Sequence, residues 1–178
     1  MTTLYIVVPC YNEEESVALF LDATVQAFQG CGYDYEIVFV NDGSRDATLH
    51  NLKKLYAAQK CPVKVISFSR NFGKEAGIYA GLQHASGEYT ALIDADLQQR
   101  PEIVRDMVKI LDEQPDYDVV AAYQDRRGEG KILSWFKKSF YSLPLWRNAP
   151  YLCNILCVFN KRHILLFFYL SAPLVFLG

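Results

Sequence analysis

The sequence predicts an α/β protein in which a mostly parallel sheet carries helices on both faces. Five short apolar runs rich in β-branched residues are centred near Ile6, Val38, Val65, Leu92 and Val120, at intervals of 27 to 32 residues. Amphipathic stretches with helical spacing separate the first four runs. Such intervals suit successive β-α units, because parallel strands need a crossover of a dozen or more residues. The 51% hydrophobic content supplies a core for one domain.

The first unit comprises a strand and an acidic helix start. Residues 4–8 form the predicted strand, which Pro9 closes. Asn12 followed by Glu15 matches a capping box, so a helix is predicted over residues 13–28. The loop between strand and helix would lie where ligands of open α/β sheets collect, beyond the carboxyl ends of the strands.

The second strand, residues 36–40, ends in the turn sequence Asn-Asp-Gly-Ser at residues 41–44. Turn chemistry alone explains this sequence, because Gly43 suits a positive φ. Alternatively, Asp42 accepts hydrogen bonds from the ribose or base of a nucleotide, as acids after Rossmann-type strands do. Both interpretations remain open at this point.

The third strand, residues 63–68, leads into a loop with cations on both sides of a glycine. Gly73 lies between Arg70 and Lys74 just before a helix predicted over residues 76–85. This loop either approaches a phosphate, helped by the helix N-terminus, or is simply solvated. It is not a Walker motif, since the first spaced glycine and the Lys-Ser/Thr pair are missing.

The fourth strand carries the most informative acids. The run Tyr-Thr-Ala-Leu-Ile at residues 89–93 ends in Asp94 and Asp96, with Gln98 two residues further on. Pro101 starts a helix predicted over residues 101–111, so the acids could merely cap it. However, oxygen ligands with this spacing suit Mg²⁺ or Mn²⁺ held by carboxylates, water and substrate phosphates. The pattern therefore favours a metal-diphosphate site.

The charge balance and the cysteine pattern argue against a nucleic-acid-binding protein, a disulfide-rich protein and a zinc protein. The first 140 residues hold 15 basic and 20 acidic side chains, a balance of −5, which argues against nucleic acid as a partner. The five cysteines contain no Cys-x-x-Cys pair and are an odd number, so buried thiols are favoured over disulfides or zinc. The three histidines are scattered and are not predicted to bind metal.

A fifth strand is predicted over residues 118–122, and the chain then changes character. Residues 126–138 contain five basic residues and one acid, which suit either a solvated helix face or a cationic surface against membrane phosphates. Residues 164–178 are apolar throughout but number 15, short of the ~20 needed to cross a bilayer. We expect an interfacial or re-entrant anchor rather than a buried helix.

Five segments together resemble family 2 glycosyltransferases of GT-A fold. They are similar above all to polyprenyl-phosphate glycosyltransferases, the group of bactoprenol glucosyltransferases and dolichol-phosphate mannose synthases. The resemblance covers about residues 3–141. The segments occur in the family's order and span residues 8–14, 40–44, 70–75, 94–98 and 125–129.

The resemblance implies roles for specific residues. Nucleotide binding would fall to Pro9, Tyr11, Asn12, Glu13 and Asp42. The catalytic metal and diphosphate would be organised by Asp94, Asp96 and Gln98. The phosphates of donor or acceptor would face Arg70, Gly73, Lys74, Arg126 and Arg127.

The same resemblance implies an inverting hexosyltransferase that uses Mg²⁺ or Mn²⁺. UDP-glucose is the expected donor, although GDP-mannose or a modified UDP-pentose would fit equally well. The implied acceptor is a polyprenyl (undecaprenyl) phosphate at the cytoplasmic face of the cell membrane. Oligomeric state, including a homo-oligomer, is left open.

The end of the chain departs from the family pattern. We expect a GT-A domain over residues 1–141 and an atypical, membrane-associating tail over residues 142–178, because no Asp-Phe-Arg-like acceptor motif follows Ser142. The chain is therefore expected to be a truncated relative, and a catalytically silent, membrane-associated nucleotide-sugar-binding fragment is the alternative. A nucleotidyltransferase would need a glycine-rich first loop and an aspartyl phosphatase an acid pair there, whereas residues 9–12 read Pro-Cys-Tyr-Asn.

Overall fold

A computed structural model describes residues 3–114, 116–122 and 156–160 of the chain. Within these ranges, strands and helices alternate for four β-α units and two further strands follow. The elements are β1 (Thr3–Cys10), α1 (Val17–Phe28), β2 (Asp34–Asn41), α2 (Thr48–Ala58), β3 (Val63–Ser67), α3 (Lys74–Gln83), β4 (Tyr89–Leu92), α4 (Pro101–Glu113), β5 (Val119–Ala122) and β6 (Leu156–Asn160).

The strands form one mixed sheet in the order β3-β2-β1-β4-β6-β5. β1 lies beside β2 and β4, and β2 lies beside β3, all in parallel. Only the pairings of β6 are antiparallel among the described strands. The mostly parallel sheet predicted from the spacing of the apolar runs is therefore confirmed.

β6 was not predicted from the sequence, which assigned residues 142–178 to a tail. It inserts between β4 and β5, where Val158 lies opposite both Ala91 and Val120 and is fully buried. Periodicity alone does not distinguish a short buried strand from another short apolar segment, so this run could not be recognised as a strand from its sequence. Residues 156–160 thus belong to the sheet, and the rest of the predicted tail lies outside the described residues. No helix of the described part is long and apolar enough to span a bilayer.

Alternating strand residues build a core on each face of the sheet. One face packs against α1, α2 and α4 through residues such as Ile6, Val8 and Phe20. The other face packs against α3 through residues such as Val7 and Val40. The prediction of helices on both faces is confirmed, and α3 alone among the described helices covers its face.

The predicted start of the first helix is wrong by four residues. α1 begins at Val17, with Ser16 at the N-cap position and no side-chain capping bond. Asn12 adopts φ 56° and its Oδ1 accepts the backbone N–H of Arg45, in the loop after β2. The side chain expected to cap a helix therefore joins two loops. α3 begins two residues earlier than predicted and ends at Gln83, and α4 extends two residues further, to Glu113.

Candidate functional site

The loops after β1, β2, β3 and β4 meet at one side of the sheet, here called the carboxyl edge. The parallel register sets Cys10 beside Asn41 and Asn41 beside Ser67, so three strands end level with one another. The backbone N–H of Ile93 donates to the carbonyl of Val7 at 3.2 Å, which places the acids after β4 at the same edge. This is where open α/β sheets bind ligands.

The first two loops are joined by side-chain to backbone hydrogen bonds. The backbone N–H of Asn12 donates to Ser44 Oγ at 3.0 Å, and that of Arg45 donates back to Asn12 Oδ1 at 2.9 Å. The N–H of Glu13 donates to Thr48 Oγ1 at 2.7 Å. These hydrogen bonds satisfy backbone N–H groups that precede α1 and α2. The two loops are therefore joined to each other, although neither helix has a side-chain cap.

Asp42 connects the second loop to the third. Its side chain is 3% exposed, and its two oxygens accept the backbone N–H groups of Phe72 at 2.7 Å and Gly73 at 2.9 Å. Gly43, with φ 61°, lies so close to this loop that an added Cβ would fall 2.2 Å from the carbonyl carbon of Arg70. A glycine is therefore required here by both conformation and space.

An aromatic and cationic surface lies on the third loop. The guanidinium carbon of Arg70 is 4.7 Å from the ring centroid of Phe72. The ring of Phe72 also packs edge-on against that of Phe68, with the ring centroids 5.5 Å apart. This cation–π contact orients Arg70. Phe72 is 53% exposed, and Tyr11 on the first loop is 42% exposed. Exposed rings of this kind can stack on a nucleotide base.

Lys74 and Asp94 form an ion pair at the centre of the carboxyl edge. Lys74 Nζ lies 2.7 Å from Oδ1 and 2.8 Å from Oδ2 of Asp94, and both side chains are partly buried, at 32% and 22% exposure. Burial raises the pKa of Asp94, the hydrogen bond and charge of Lys74 oppose the rise, and the charge of Asp96 adds to it. Lys74 is thus the cation paired with Asp94, close to the charge of Asp96.

Asp96 and Gln98 complete the acidic turn. Asp96 is exposed, and its Oδ1 accepts the backbone N–H of Gln98 at 3.0 Å across Leu97, which has φ 59°. Two carboxylates and an amide are oxygen donors of the kind Mg²⁺ and Mn²⁺ use, so the donor set fits such an ion. Within the described ranges, no three His, Cys, Asp or Glu side chains are grouped so that they could hold a metal ion.

Cys10 ends β1 beneath these loops. Its pKa is raised well above the ordinary value by burial and further by the negative charges of Glu13 and Asp94. A buried thiol whose pKa is raised in this way suits a structural role. Cys31, Cys61 and Cys157 are also free thiols. Among the described cysteines, the predicted burial is confirmed for Cys10 and Cys157, whereas Cys31 and Cys61 are partly exposed.

Most of the residues predicted for the site lie at the carboxyl edge. The structure brings eleven of them to the four loops or to the strand and helix ends that border them: Pro9, Tyr11, Asn12, Glu13, Asp42, Arg70, Gly73, Lys74, Asp94, Asp96 and Gln98. Arg126 and Arg127 lie outside the described residues. A separate depression of about 470 Å³ between the end of α2 and the start of β3 lies at the opposite edge of the sheet.

Sequence reasoning missed the side chains that join the loops. Asn41 is 1% exposed, donates from Nδ2 to Ser67 Oγ at 2.9 Å and accepts the N–H of Ser44 at 3.2 Å. Glu14 Oε2 accepts the N–H of Ala47 at 2.8 Å. The sequence did offer one indication, namely a polar residue, Asn41, at the end of an apolar strand. A buried side-chain amide needs hydrogen-bond partners, so contacts with neighbouring loops could have been expected.

Comparison with known proteins identifies what the chain is similar to. The family model for glycosyl transferase family 2 matches residues 5–168. A putative glycosyltransferase, CsbB of Bacillus subtilis (strain 168), is 43% identical over 136 residues, which cover 76% of this chain and 40% of that protein. The bactoprenol glucosyl transferase of Shigella phage SfV is 40% identical over 139 residues, covering 78% and 44%. The chain thus spans about two fifths of the length of these curated relatives.

Solved structures share the architecture. Residues 1–349 of S. aureus TarS superpose with a TM-score of 0.60 and 28% identity, covering 78% of this chain and 40% of that one. The same protein in complex with UDP-GlcNAc gives 0.58 and 29%, with coverage of 78% and 39%. The mannosyltransferase PcManGT of Pyrobaculum calidifontis gives 0.66 at 22% identity over 93% and 46% of the two chains, a likeness of fold. The predicted GT-A architecture is confirmed.

Proposed function

Because this chain belongs to glycosyltransferase family 2, we propose that it transfers a hexose from a nucleotide diphosphate sugar to a polyprenyl (undecaprenyl) phosphate. The transfer inverts the anomeric carbon, uses Mg²⁺ or Mn²⁺ and takes place at the cytoplasmic face of the membrane. The observation that carries the proposal is the acid pair Asp94 and Asp96 at the carboxyl edge, with Asp94 in an ion pair with Lys74.

Two relatives support the choice of donor and acceptor. The name of the phage protein, bactoprenol glucosyl transferase, favours glucose and a polyprenyl acceptor. TarS in complex with UDP-GlcNAc favours a uridine nucleotide. UDP-glucose is therefore our first donor.

The first three loops would hold the nucleotide. Tyr11 presents an exposed ring for the base, and Pro9, Asn12 and Glu13 shape the loop around it. Asp42 already accepts two backbone N–H groups, but a carboxylate has about four acceptor positions, so two remain for the ribose or base.

The diphosphate would lie between the cations and the acids. Asp94, Asp96 and Gln98 would hold the divalent ion, which supplies Lewis-acid stabilisation of the leaving diphosphate. Arg70, on the loop before α3, and Lys74, the first residue of α3, would add positive charge. Gly73 allows close approach of the backbone, and we assign Arg126 and Arg127 to the phosphates as well.

The acceptor would need little activation. A lipid monophosphate has a second pKa of about 6, so it is mostly a dianionic nucleophile near neutral pH. A dedicated general base is therefore less necessary than for a hydroxyl acceptor. Attack in line with the leaving diphosphate would invert the sugar's configuration.

Titration calorimetry tests donor binding. We expect the protein to bind UDP-glucose and UDP in the presence of Mn²⁺ more tightly than GDP, and Asp96→Asn to weaken that binding by about tenfold or more. Asp22→Asn is the matched control, because Asp22 is exposed on α1 and pairs with Lys60 away from the loops.

A transfer assay with labelled UDP-glucose and undecaprenyl phosphate in vesicles then tests the reaction. Glucosyl lipid formed by the wild type and by Asp22→Asn, but not by Asp96→Asn, would support the proposal. Nucleotide binding without transfer would leave only a nucleotide-sugar-binding protein. A folded protein that binds none of the nucleotides would contradict the proposed site itself.

A further inference from the structure

The position of Lys74 is unusual for a cation. It is the first residue of α3, where the helix dipole favours negative rather than positive charge. A lysine there needs a compensating partner. Asp94 is that partner, since both its oxygens lie within 2.8 Å of the ammonium.

The ammonium faces both oxygens of Asp94, on the side where a divalent ion held by both oxygens would bind. A carboxylate that faces one cation with both oxygens directs one lone pair of each oxygen toward it. A second cation on the same oxygens would be repelled by the first, and the repulsion is strong at this separation because the pair is partly buried. Metal and ammonium therefore compete for these two oxygens of Asp94.

We propose that Lys74 is the resident counter-cation of Asp94, that a divalent cation displaces it, and that the displaced ammonium then binds the donor diphosphate. The inference rests on the proposed function, because the acceptor of the displaced charge is the donor's diphosphate. Lys74 would thereby couple the two binding events. The metal frees the cation that the donor needs, and the donor stabilises the cation in its new place.

The backbone around Lys74 suits such an exchange. The N–H groups of Phe72 and Gly73 are held by the buried carboxylate of Asp42, so the loop is anchored directly before Lys74. The four-carbon stem of lysine carries a compact charge through several rotamers. The side chain can therefore change partners without rearrangement of the loop.

Binding of Mn²⁺ alone, followed by the electron paramagnetic resonance signal of the free ion, tests the first step without any donor. We expect Lys74→Met to bind Mn²⁺ about tenfold more tightly than the wild type, a coupling of ordinary size. Lys74→Gln, which keeps a donor for Asp94 but no charge, should change in the same direction and serves if the methionine variant folds poorly. Lys74→Arg should not tighten binding, and Asp94→Asn should weaken it.

Arg100→Met is the charge-matched control. Arg100 is exposed at the N-cap of α4 and forms no ion pair with Asp94, yet it lies close to the acids along the chain. Tightening by the same factor in Arg100→Met would reduce the effect to overall charge and overturn the inference. Unchanged affinity in both Lys74→Met and Lys74→Gln would overturn it too, with the proposed function intact. Absence of Mn²⁺ binding in every variant would overturn it together with the proposed metal site.

The second step is tested with UDP in saturating Mn²⁺. We expect Lys74→Met to bind UDP about tenfold less tightly although it binds the metal better, because the cation for the diphosphate is gone. These opposite signs distinguish an exchanged cation from a merely structural lysine. UDP affinity equal to that of the wild type would overturn the transfer of Lys74 to the diphosphate.

Discussion

At the scale of single residues, Asp42 shows how one buried carboxylate can organise a site. It follows β2 in sequence, but both its oxygens accept N–H groups from the loop after β3, about 30 residues further along the chain. Nucleotide binding by this residue stays a proposal. Its structural role is visible directly and explains why the third loop lies close to the second.

Asp42→Asn should loosen the third loop. The amide offers one oxygen in place of two, so one of the N–H groups of Phe72 and Gly73 loses its acceptor in a partly buried position. We expect a loss of about 1–3 kcal/mol in the free energy of unfolding, measured with denaturant. Amide hydrogen exchange at Phe72 and Gly73 should become faster than in the wild type.

Asp22→Asn is the control for Asp42→Asn, since it removes a carboxylate from an exposed ion pair. Such pairs contribute about 0–1 kcal/mol, so its stability should stay close to that of the wild type. Equal stability of both variants, with unchanged exchange at Phe72 and Gly73, would show that Asp42 does not hold the loop.

At the scale of elements, α3 positions Lys74 because it lies very close to the sheet. Gly81 faces β1 and Gly77 faces the end of β1 and β2. A Cβ on Gly81 would lie 2.3 Å from Val7 Cγ1, whereas one on Gly77 would be 3.6 Å from Pro9 Cβ and 3.8 Å from Val40 Cγ1. The same substitution at the two positions should therefore have opposite effects.

We predict that Gly81→Ala destabilises the protein by about 1–3 kcal/mol, because the helix must move away from Val7. Gly77→Ala should instead stabilise it by about 0.5–1 kcal/mol, since it meets ordinary van der Waals contacts and alanine is the better helix former. Chemical denaturation measures both. Stabilisation by Gly81→Ala would mean that α3 does not pack as closely as described.

At the scale of the whole molecule, β6 completes the sheet. It contacts β4 on one side and β5 on the other, and Leu156, Val158 and Phe159 are buried. Without β6, β4 would have an open edge and β5 would have no neighbour among the described strands. The family match through residue 168 agrees with a domain that extends past residue 141.

A chain ended after residue 141 should therefore fail to form the stable sheet. We expect loss of cooperative unfolding and a strong tendency to aggregate, because an unpaired strand edge and apolar surface become exposed. Circular dichroism during heating and size-exclusion chromatography against the full chain measure this. In the full chain, Val158→Asp should act in the same direction, since it buries an unpaired charge. A cooperative, monomeric 1–141 chain would instead support a domain boundary there.

Much of the fold and part of the site were predictable because they depend on local patterns. The spacing of the apolar runs predicted four β-α units and β5, and strand ends followed by polar residues located the acids, Asp42 and the cationic loop at one edge. The start of α1 was wrong because Asn12 found a partner, Arg45, in another loop. Local rules for capping do not include partners that only folding brings near.

The sequence by itself determined the alternation of strands and helices, the sheet edge at which open α/β sheets bind ligands, and the types of ligand-binding side chain available there. These follow from hydrophobic periodicity and side-chain chemistry, which are properties of short segments. Only the tertiary structure decided that β6 lies between β4 and β5, that Asp42 binds the backbone of the third loop, and that Lys74 forms an ion pair with Asp94. Each of these joins residues distant in sequence, and which groups meet depends on how the packed elements are placed.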